Sequence, residues 1–512
     1  MNKKTLLLLF FCILLSFFLN VYNLENYPPS VHCDELFTAN AGKQIATGET
    51  QSLISTSWWG VPAPAFILHA ASYFLFGDTI TAARVPSAIL GTLTLLPLFI
   101  MTLLMFNRTI AFISLILLFT SHWWLAITRV GSLNVMSIFT EVVVFLLLYL
   151  GFLKKKKSIF FAIGILIGLG NYQYLVFKIV PVLVIFLFFH QLIRVREDRK
   201  RLITFFAITV VTAVIVYMPM IVYYAKNPST ILGRVGSSYI FSDDPNTIQH
   251  MEAANKTKNR MAWLINNIKR SSDLSENSGD TSTQYGYRGR LLDLLTLTLF
   301  LLGQLIALKN LKKVQYFLLL IWFWLTYFAF TMLTVDPVTY HRIVGLFPAV
   351  YIFVGISLYS IIQTIKRRIP NIPILESLPY LFLTIIMCTI VFINLKIYFF
   401  DNPRNNIQLF QKRPGMYVSE YLKTLSHDYR VILLSEPVIY PEDCVFWYFT
   451  PSLPITSLVD SAPLPEMNGP KVFVVSNQYK NRLEEIQRKY PGGTTRRIED
   501  NSGYIYTTPY NK

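Results

Sequence analysis

Residues 133–172 read LNVMSIFTEVVVFLLLYLGFLKKKKSIFFAIGILIGLGNY, two apolar runs joined by four consecutive lysines. The first run carries one ionisable residue, Glu141, and is as long as the roughly 20 residues that a helix needs to cross a hydrocarbon core. Lys154, Lys155, Lys156 and Lys157 cannot enter that core, so they mark a turn at one membrane face, and the second run carries the chain back.

Working outward, the same pattern recurs along most of the chain. Apolar runs occupy 5–22, 81–106, 109–127, 176–193, 202–224, 291–308, 314–333, 343–365 and 380–400, each bounded by charge or by Pro, Gly and Asn. With the opening pair this predicts about 11 transmembrane helices. A chain of 512 residues with 53% hydrophobic and 15% charged residues cannot hide so much apolar surface in a water-soluble fold. The net charge of +17 would suit a nucleic-acid partner only if the basic residues lined one polar face. They lie instead in short clusters between apolar runs, which argues for no nucleic acid and for topology signals.

Those clusters fix an orientation. Lys3 and Lys4, Arg108, the 154–157 lysines, the 194–201 segment, the 309–313 segment and the 366–368 segment fall in alternate loops. By the positive-inside rule that face is cytoplasmic. The loops 23–80 and 225–290 and everything after Phe400 then lie outside. The N-terminal run has the charge pattern of a secretory signal, but no small-x-small cleavage site follows Phe18, so a retained first helix is expected.

In the first outside loop, 34–45 and 65–76 carry apolar residues at helical spacing yet are too short to span, as expected of helices at the interface. Trp58 and Trp59 between them suit the headgroup level. The 225–290 loop is polar, and serves either as a lid or as an ordinary connection. After residue 400 the composition is that of a soluble α/β domain: strands are expected at 431–434, 472–475 and 504–507, and helices at 417–425 and 481–489. The expected organisation is thus a transmembrane domain, 1–400, and a C-terminal extracytoplasmic domain, 401–512. Cys12, Cys33, Cys388 and Cys444 show neither CxxC spacing nor a metal-ligand pattern, so no disulfide framework and no zinc site is expected.

The chemistry-bearing stretch is Pro28-Pro29-Ser30-Val31-His32-Cys33-Asp34-Glu35, with two adjacent carboxylates just before an interfacial helix. A carboxylate there is stabilised as the anion by the helix dipole and can meet a lipid headgroup and a water-borne acceptor together. The plainer reading is a helix cap made by Asp34. Glu141, in the middle of a span, is costly in lipid and stands without an evident partner.

This order of features resembles the GT-C glycosyltransferases of glycosyltransferase family 39, which include protein O-mannosyltransferases and lipid A aminoarabinose transferases. The resemblance rests on the short first helix, the Asp34-Glu35 loop, and Gly77-Asp78 leading to Arg84-Val85-Pro86-Ser87. It continues with Thr128-Arg129, Asn171-Tyr172-Gln173-Tyr174 with Lys178 and Pro181, and Tyr340-His341-Arg342 with Gly345 and Pro348. It implies an all-α polytopic membrane protein of GT-C type that moves a sugar from a polyprenyl-phosphate donor to an extracytoplasmic acceptor by inverting displacement. Asp34 is then the presumed base and Glu35 its assistant. Arg84, Arg129, Lys178 and Arg342 are the candidates for the donor phosphate; Tyr172, Tyr174 and His341 are candidates for substrate. Some family members carry an acidic residue after the arginine that ends the third span, where this chain has Gly131-Ser132-Leu133-Asn134, so a role for a second carboxylate there is in doubt. His32, Asp34 and Glu35 match no standard ligand motif, so no metal is assigned, and any divalent cation or other cofactor stays unknown. The expected location is a bacterial or archaeal plasma membrane. The alternative class is a transporter or flippase of a lipid-linked saccharide; such proteins favour internal repeats and midplane ionisable groups, whereas here the candidate residues collect at one interface.

Overall fold

A computed structural model describes residues 2–50, 52, 54, 60–230, 236–272, 290–337, 339–368, 377–405, 408–466 and 468–510. The Trp58-Trp59 pair and residues 231–235 and 273–289 of the long loop lie outside the described residues.

The first half of the chain forms α1 (Lys3–Val21), α2 (Cys33–Ala46), α3 (Ile67–Phe76), α4 (Ile80–Met105), α5 (Arg108–Phe119), α6 (His122–Thr128), α7 (Leu133–Lys154), α8 (Lys157–Gly170), α9 (Val180–Arg194) and α10 (Arg199–Lys226). All the apolar runs are helical, but they differ in length. Among the described residues, eight helices are long and apolar enough to cross a membrane; α5 and α6 form a ninth candidate bent by 60°. The bend is local: the Ser121 hydroxyl accepts the Trp124 N–H and starts α6 on a new axis. The shortfall from about eleven lies in α8 and Leu294–Lys309, which have 14 and 16 residues and so fall below the roughly 20 of a perpendicular crossing. The protein is a multi-pass membrane protein.

Contacts gather the basic loops at one face. Arg108 donates to the Thr5 hydroxyl at 3.1 Å, Gln315 to the Met105 carbonyl at 3.5 Å, the His190 ring pairs with the Leu311 carbonyl at 3.0 Å, and Lys155 pairs with Asp198. Inside the bundle, polar side chains tie helices where lipid supplies no hydrogen bonds. Asn20 on α1 donates to Thr92 on α4 at 3.0 Å and accepts from Thr128 on α6 at 2.8 Å.

At the other face lie α2, α3 and the C-terminal domain. Its five-stranded sheet has the order β2-β1-β3-β5-β4, built from β1 (Arg430–Leu434), β2 (Ile455–Ser457), β3 (Lys471–Ser476), β4 (Thr494–Arg497) and β5 (Gly503–Thr507). β1 is parallel to β2 and β3, whereas β5 is antiparallel to β3 and β4. The central strands are continuous apolar runs buried on both faces, which made them legible. β2 has three residues and β4 is Thr-Thr-Arg-Arg with every residue exposed, so neither shows an apolar pattern.

The domain is not a separate ball on a tether. One apolar cluster runs from Val431, Val472 and Leu422 through Phe446 and Tyr448 to Leu36 and Ala39 of α2 and Ala83 of α4. Phe37 packs on Trp447 with ring centroids 5.1 Å apart. The expectation of no disulfide is corrected here: Cys33 and Cys444 are bonded, across a sequence separation of 411. Motif spacing is blind to a pairing of that range, because the fold alone brings the two sulfurs together.

Candidate active site

Every candidate side chain depends on how the 23–35 loop is held. His32 begins α2 as its N-cap, its Nδ1 accepting the Asp34 N–H at 3.1 Å, while Glu35 accepts the His32 N–H at 3.4 Å. The cap is therefore made by His32 and Glu35, at the position sequence reasoning had given to Asp34. Burial pushes the His32 imidazole down to about 4, and the neutral ring is the form that accepts this hydrogen bond. A histidine held below its ordinary 6.5 contributes stability that is present above that value and lost as pH falls from 6.5 towards 4. The thermal midpoint of the detergent-solubilised protein is expected to drop across that window, and His32→Gln to remove part of the drop.

Arg84 and Glu35 form a fully buried pair, with the Arg84 Nε 3.0 Å from the Glu35 Oε2 and side chains 0% and 1% exposed. Nη1 donates to the carbonyls of Leu24 and Pro28 at 2.9 and 2.8 Å, and Nη2 to the Ser30 carbonyl at 2.7 Å and the Glu35 Oε1 at 3.3 Å. All five N–H groups of the guanidinium are thereby engaged. This corrects the expectation that Arg84 binds the donor phosphate: it has no donor left, and its task is to fold the loop around itself.

Glu35 Oε2 also accepts the Gly131 N–H at 2.7 Å. A Cβ at residue 131 would stand 2.7 Å from the Ala83 carbonyl oxygen and 3.0 Å from the Glu35 Cγ. Glycine is needed because two backbones and the carboxylate meet there. Gly131→Ala is expected to cost about 1–3 kcal/mol, read from thermal unfolding in detergent.

Arg129 is also tied to the backbone, though less completely. It is 1% exposed, donates to the carbonyls of Leu19, Tyr22 and Tyr27, and lies over the Tyr27 ring at 5.5 Å. Its guanidinium closes the C-terminal end of α1 and grips the loop that follows. Unlike Arg84, it is not saturated: three N–H groups meet carbonyls, whereas its Nε is buried without a partner among the described residues, so Arg129 stays a candidate for the donor phosphate. Further stitching comes from the Tyr27 hydroxyl, which donates to the Tyr398 carbonyl at 3.1 Å, and from the Ser30 N–H, which donates to the Leu409 carbonyl at 3.0 Å.

What this framework presents is a small cleft lined by Asp34 and Thr38 of α2, residues 131–134, Tyr174 and His341. Asp34 is about a third exposed there, with Oδ1 3.6 Å from the His32 Nδ1. Three of the sequence candidates, Asp34, Tyr174 and His341, thus share one wall system although they are far apart in the chain. Thr38 and Asn134 were missed as lining residues; Asn134 had drawn notice only as a departure from the family pattern.

Beside the cleft lies an apolar chamber of about 710 Å³ lined by Pro64, Ile67, Leu68, Met136, Leu166, Leu169, Tyr172 and Pro219 among others. The two spaces share walls: α7 gives Asn134 to the cleft and Met136 and Thr140 to the chamber, and the 172–174 segment gives Tyr174 to one and Tyr172 to the other. Tyr172 is pinned by its hydroxyl donating to the Val216 carbonyl at 3.1 Å. Lys178 sits by Tyr217, which packs edge-on to Tyr172; its Nζ is 3.2 Å from the Tyr217 hydroxyl and 3.1 Å from the Asn171 carbonyl. Arg342 is half-buried next to His341 and donates to the Val335 carbonyl at 2.5 Å. Glu141 is buried in α7, with Oε1 unpartnered among the described residues. Among those residues, the one group of potential ligand atoms close enough to hold a metal ion is Cys33, Asp443 and Cys444, and its sulfurs are tied to each other.

Comparison with known proteins follows the same lines. The sequence model of the dolichyl-phosphate-mannose-protein mannosyltransferases matches residues 61–223. ArnT from Cupriavidus metallidurans, solved with undecaprenyl phosphate, superposes over 99% of this chain and 98% of its own, with TM-score 0.57 and 11% identity. The protein has the GT-C fold. The archaeal oligosaccharyltransferase AglB from Archaeoglobus fulgidus, solved with an inhibitory peptide and a dolichol-phosphate, shares that fold at TM-score 0.53 and 13% identity, over 99% of this chain and 74% of AglB. No curated protein sequence matches the chain. The resemblance drawn from the motifs is thus borne out for GT-C architecture. The matched 61–223 region contains Arg84, Arg129, Tyr172, Tyr174 and Lys178, whereas Asp34 precedes it.

Proposed function

We propose that the protein transfers a sugar from a polyprenyl-phosphate donor to an acceptor hydroxyl, with Asp34 as general base. The observation that carries this reading is the adjacency of a carboxylate-bearing polar cleft and a large apolar chamber, sharing α7 and the 172–174 segment. A prenyl chain suits an apolar cavity open among membrane helices, and its sugar would then lie toward Asp34. The solved GT-C neighbours, with undecaprenyl phosphate in ArnT and dolichol-phosphate in AglB, support a ligand of this class.

In this reading Asp34 takes the proton of the acceptor hydroxyl as its oxygen attacks the anomeric carbon. The bond from that carbon to the phosphate oxygen breaks on the opposite side, and polyprenyl phosphate leaves with the electron pair, inverting the centre. Glu35 is a positioning residue, since it is buried against Arg84. With every N–H of Arg84 engaged, Lys178 beside the chamber, Arg342 next to the cleft and Arg129 with its unpartnered Nε are the cations proposed to meet the leaving phosphate. Tyr174 and His341 line the path of the sugar, and Tyr172 lines that of the lipid.

The Cys33–Cys444 bond supports placing this face on the oxidising side of a plasma membrane, with the N-terminus cytoplasmic, in agreement with the basic loops. Lipid extracted from the purified protein should contain polyprenyl phosphate or its glycosylated form, identified by mass spectrometry. Met136→Trp, which narrows the chamber, should reduce the co-purification. Phospholipid alone in the wild-type extract would refute the donor class.

A further inference from the structure

A second polar cavity, of about 440 Å³, lies on the other side of the α2 N-terminus, between the first loop and the C-terminal domain. His32 and Cys33 form one wall, Lys412 and Arg413 another, and Tyr440 and Asp443 a third. Its size falls in the roughly 300–1,000 Å³ range of small-ligand sites. The mechanism above makes no use of it.

Its charges are not balanced within the lining. Asp443 Oδ1 is 3.4 Å from the Arg413 Nη2 and also accepts the Val445 N–H at 3.2 Å, so that carboxylate is already divided between a cation and a helix cap. Lys412 pairs at 2.6 Å with Glu420, a half-exposed residue outside the lining, and an ion pair with a solvent-exposed partner exchanges readily. The Arg413 Nη2 also donates to the Cys444 Sγ at 3.4 Å, and the side chain stays 28% exposed. A partly exposed planar guanidinium and an ammonium beside it, both lining the cavity, are suited to an oxyanion. The exposed Tyr440 ring adds a face on which a sugar can stack. The Cys33–Cys444 bond joins two of the walls, so the space is formed before any ligand arrives.

One residue separates the cavity from the base: His32 lines it, and the His32 Nδ1 stands 3.6 Å from the Asp34 carboxylate. We infer that this cavity binds an acidic sugar, carrying a carboxylate or phosphate, that belongs to the acceptor; the word acceptor rests on the proposed transferase reading, whereas the binding site does not.

The test uses the full-length protein in phosphatidylcholine nanodiscs and saturation-transfer NMR with sodium glucuronate, glucose 6-phosphate and glucose. Both acidic sugars should receive saturation and glucose should not. Arg413→Gln should weaken binding by about tenfold, the loss of one charge-assisted hydrogen bond. Lys412→Gln leaves the Arg413–Asp443 pair in place and should also weaken it, which keeps the test decisive if Arg413→Gln fails to fold. Asp34→Asn should bind as the wild type does. Equal saturation of glucose, no saturation by either acid, or wild-type binding in both variants would overturn the inference. So would loss of the acidic-sugar signal in phosphatidylglycerol nanodiscs, which would assign the cavity to lipid headgroups. Acidic-sugar binding in a protein that transfers no sugar would retain this site and sink the transferase reading, and transfer without such binding would do the reverse.

Discussion

Asp34→Asn is expected to lower sugar transfer by about a hundred- to ten-thousandfold, the range associated with removal of a positioned general base. Asparagine keeps the size of the side chain, and the first turn of α2 is capped through His32 and Glu35, so the helix should form unchanged. The lipid chamber lies on the far side of α7 residues 133–136, so the co-purified lipid should be retained. The measurement is transfer in native membranes, with expression, thermal midpoint and bound lipid recorded for the same preparation. Transfer within a few-fold of wild type would remove Asp34 from the mechanism, whatever became of the lipid reading.

The second large effect is on stability. Arg84→Met leaves Glu35 buried with no cation, and Glu35→Met leaves Arg84 without its carboxylate; each should cost about 3–5 kcal/mol. The double variant should be less damaged than the sum of the two, because no uncompensated charge remains, although the carbonyls of Leu24, Pro28 and Ser30 lose their donor. Thermal unfolding in detergent reads the effect, and the non-additivity separates a clamp from a ligand-binding residue. If Arg84→Met unfolded like the wild type and lost only lipid, the assignment of Arg84 to the framework would fail.

The membrane fold was legible because crossing a bilayer needs length and apolarity, both of which are local properties of a run. The alternation of Lys and Arg added the faces. The eight-to-nine count differs from the expected eleven because an apolar run says little about whether its helix bends, as at Ser121, or stops short, as α8 does.

Side-chain partnership was not legible. Arg84 and Arg129 stand at the right depth for a phosphate, and depth is all that a sequence position conveys; that their donors turn to backbone carbonyls is decided by how the 19–30 segment folds over them. Cys33 and Cys444 likewise carry no local mark of each other. Asp34, Tyr174 and His341 were assembled by family resemblance rather than by spacing, and the structure brings them to one cleft. Arg413 escaped notice because it follows the last span, in a stretch that read as the start of an ordinary soluble domain.

The bond between Cys33 and Cys444 imposes an order on biosynthesis. The turn that carries Asp34 leaves the ribosome well ahead of its covalent partner, which follows at a sequence separation of 411. A nascent chain stalled before that point would have its membrane helices inserted while the turn beside Asp34 still carried an unbonded thiol. Truncation ahead of Cys444 therefore reaches back to the first loop, and the maturation of that loop is set by the arrival of Cys444.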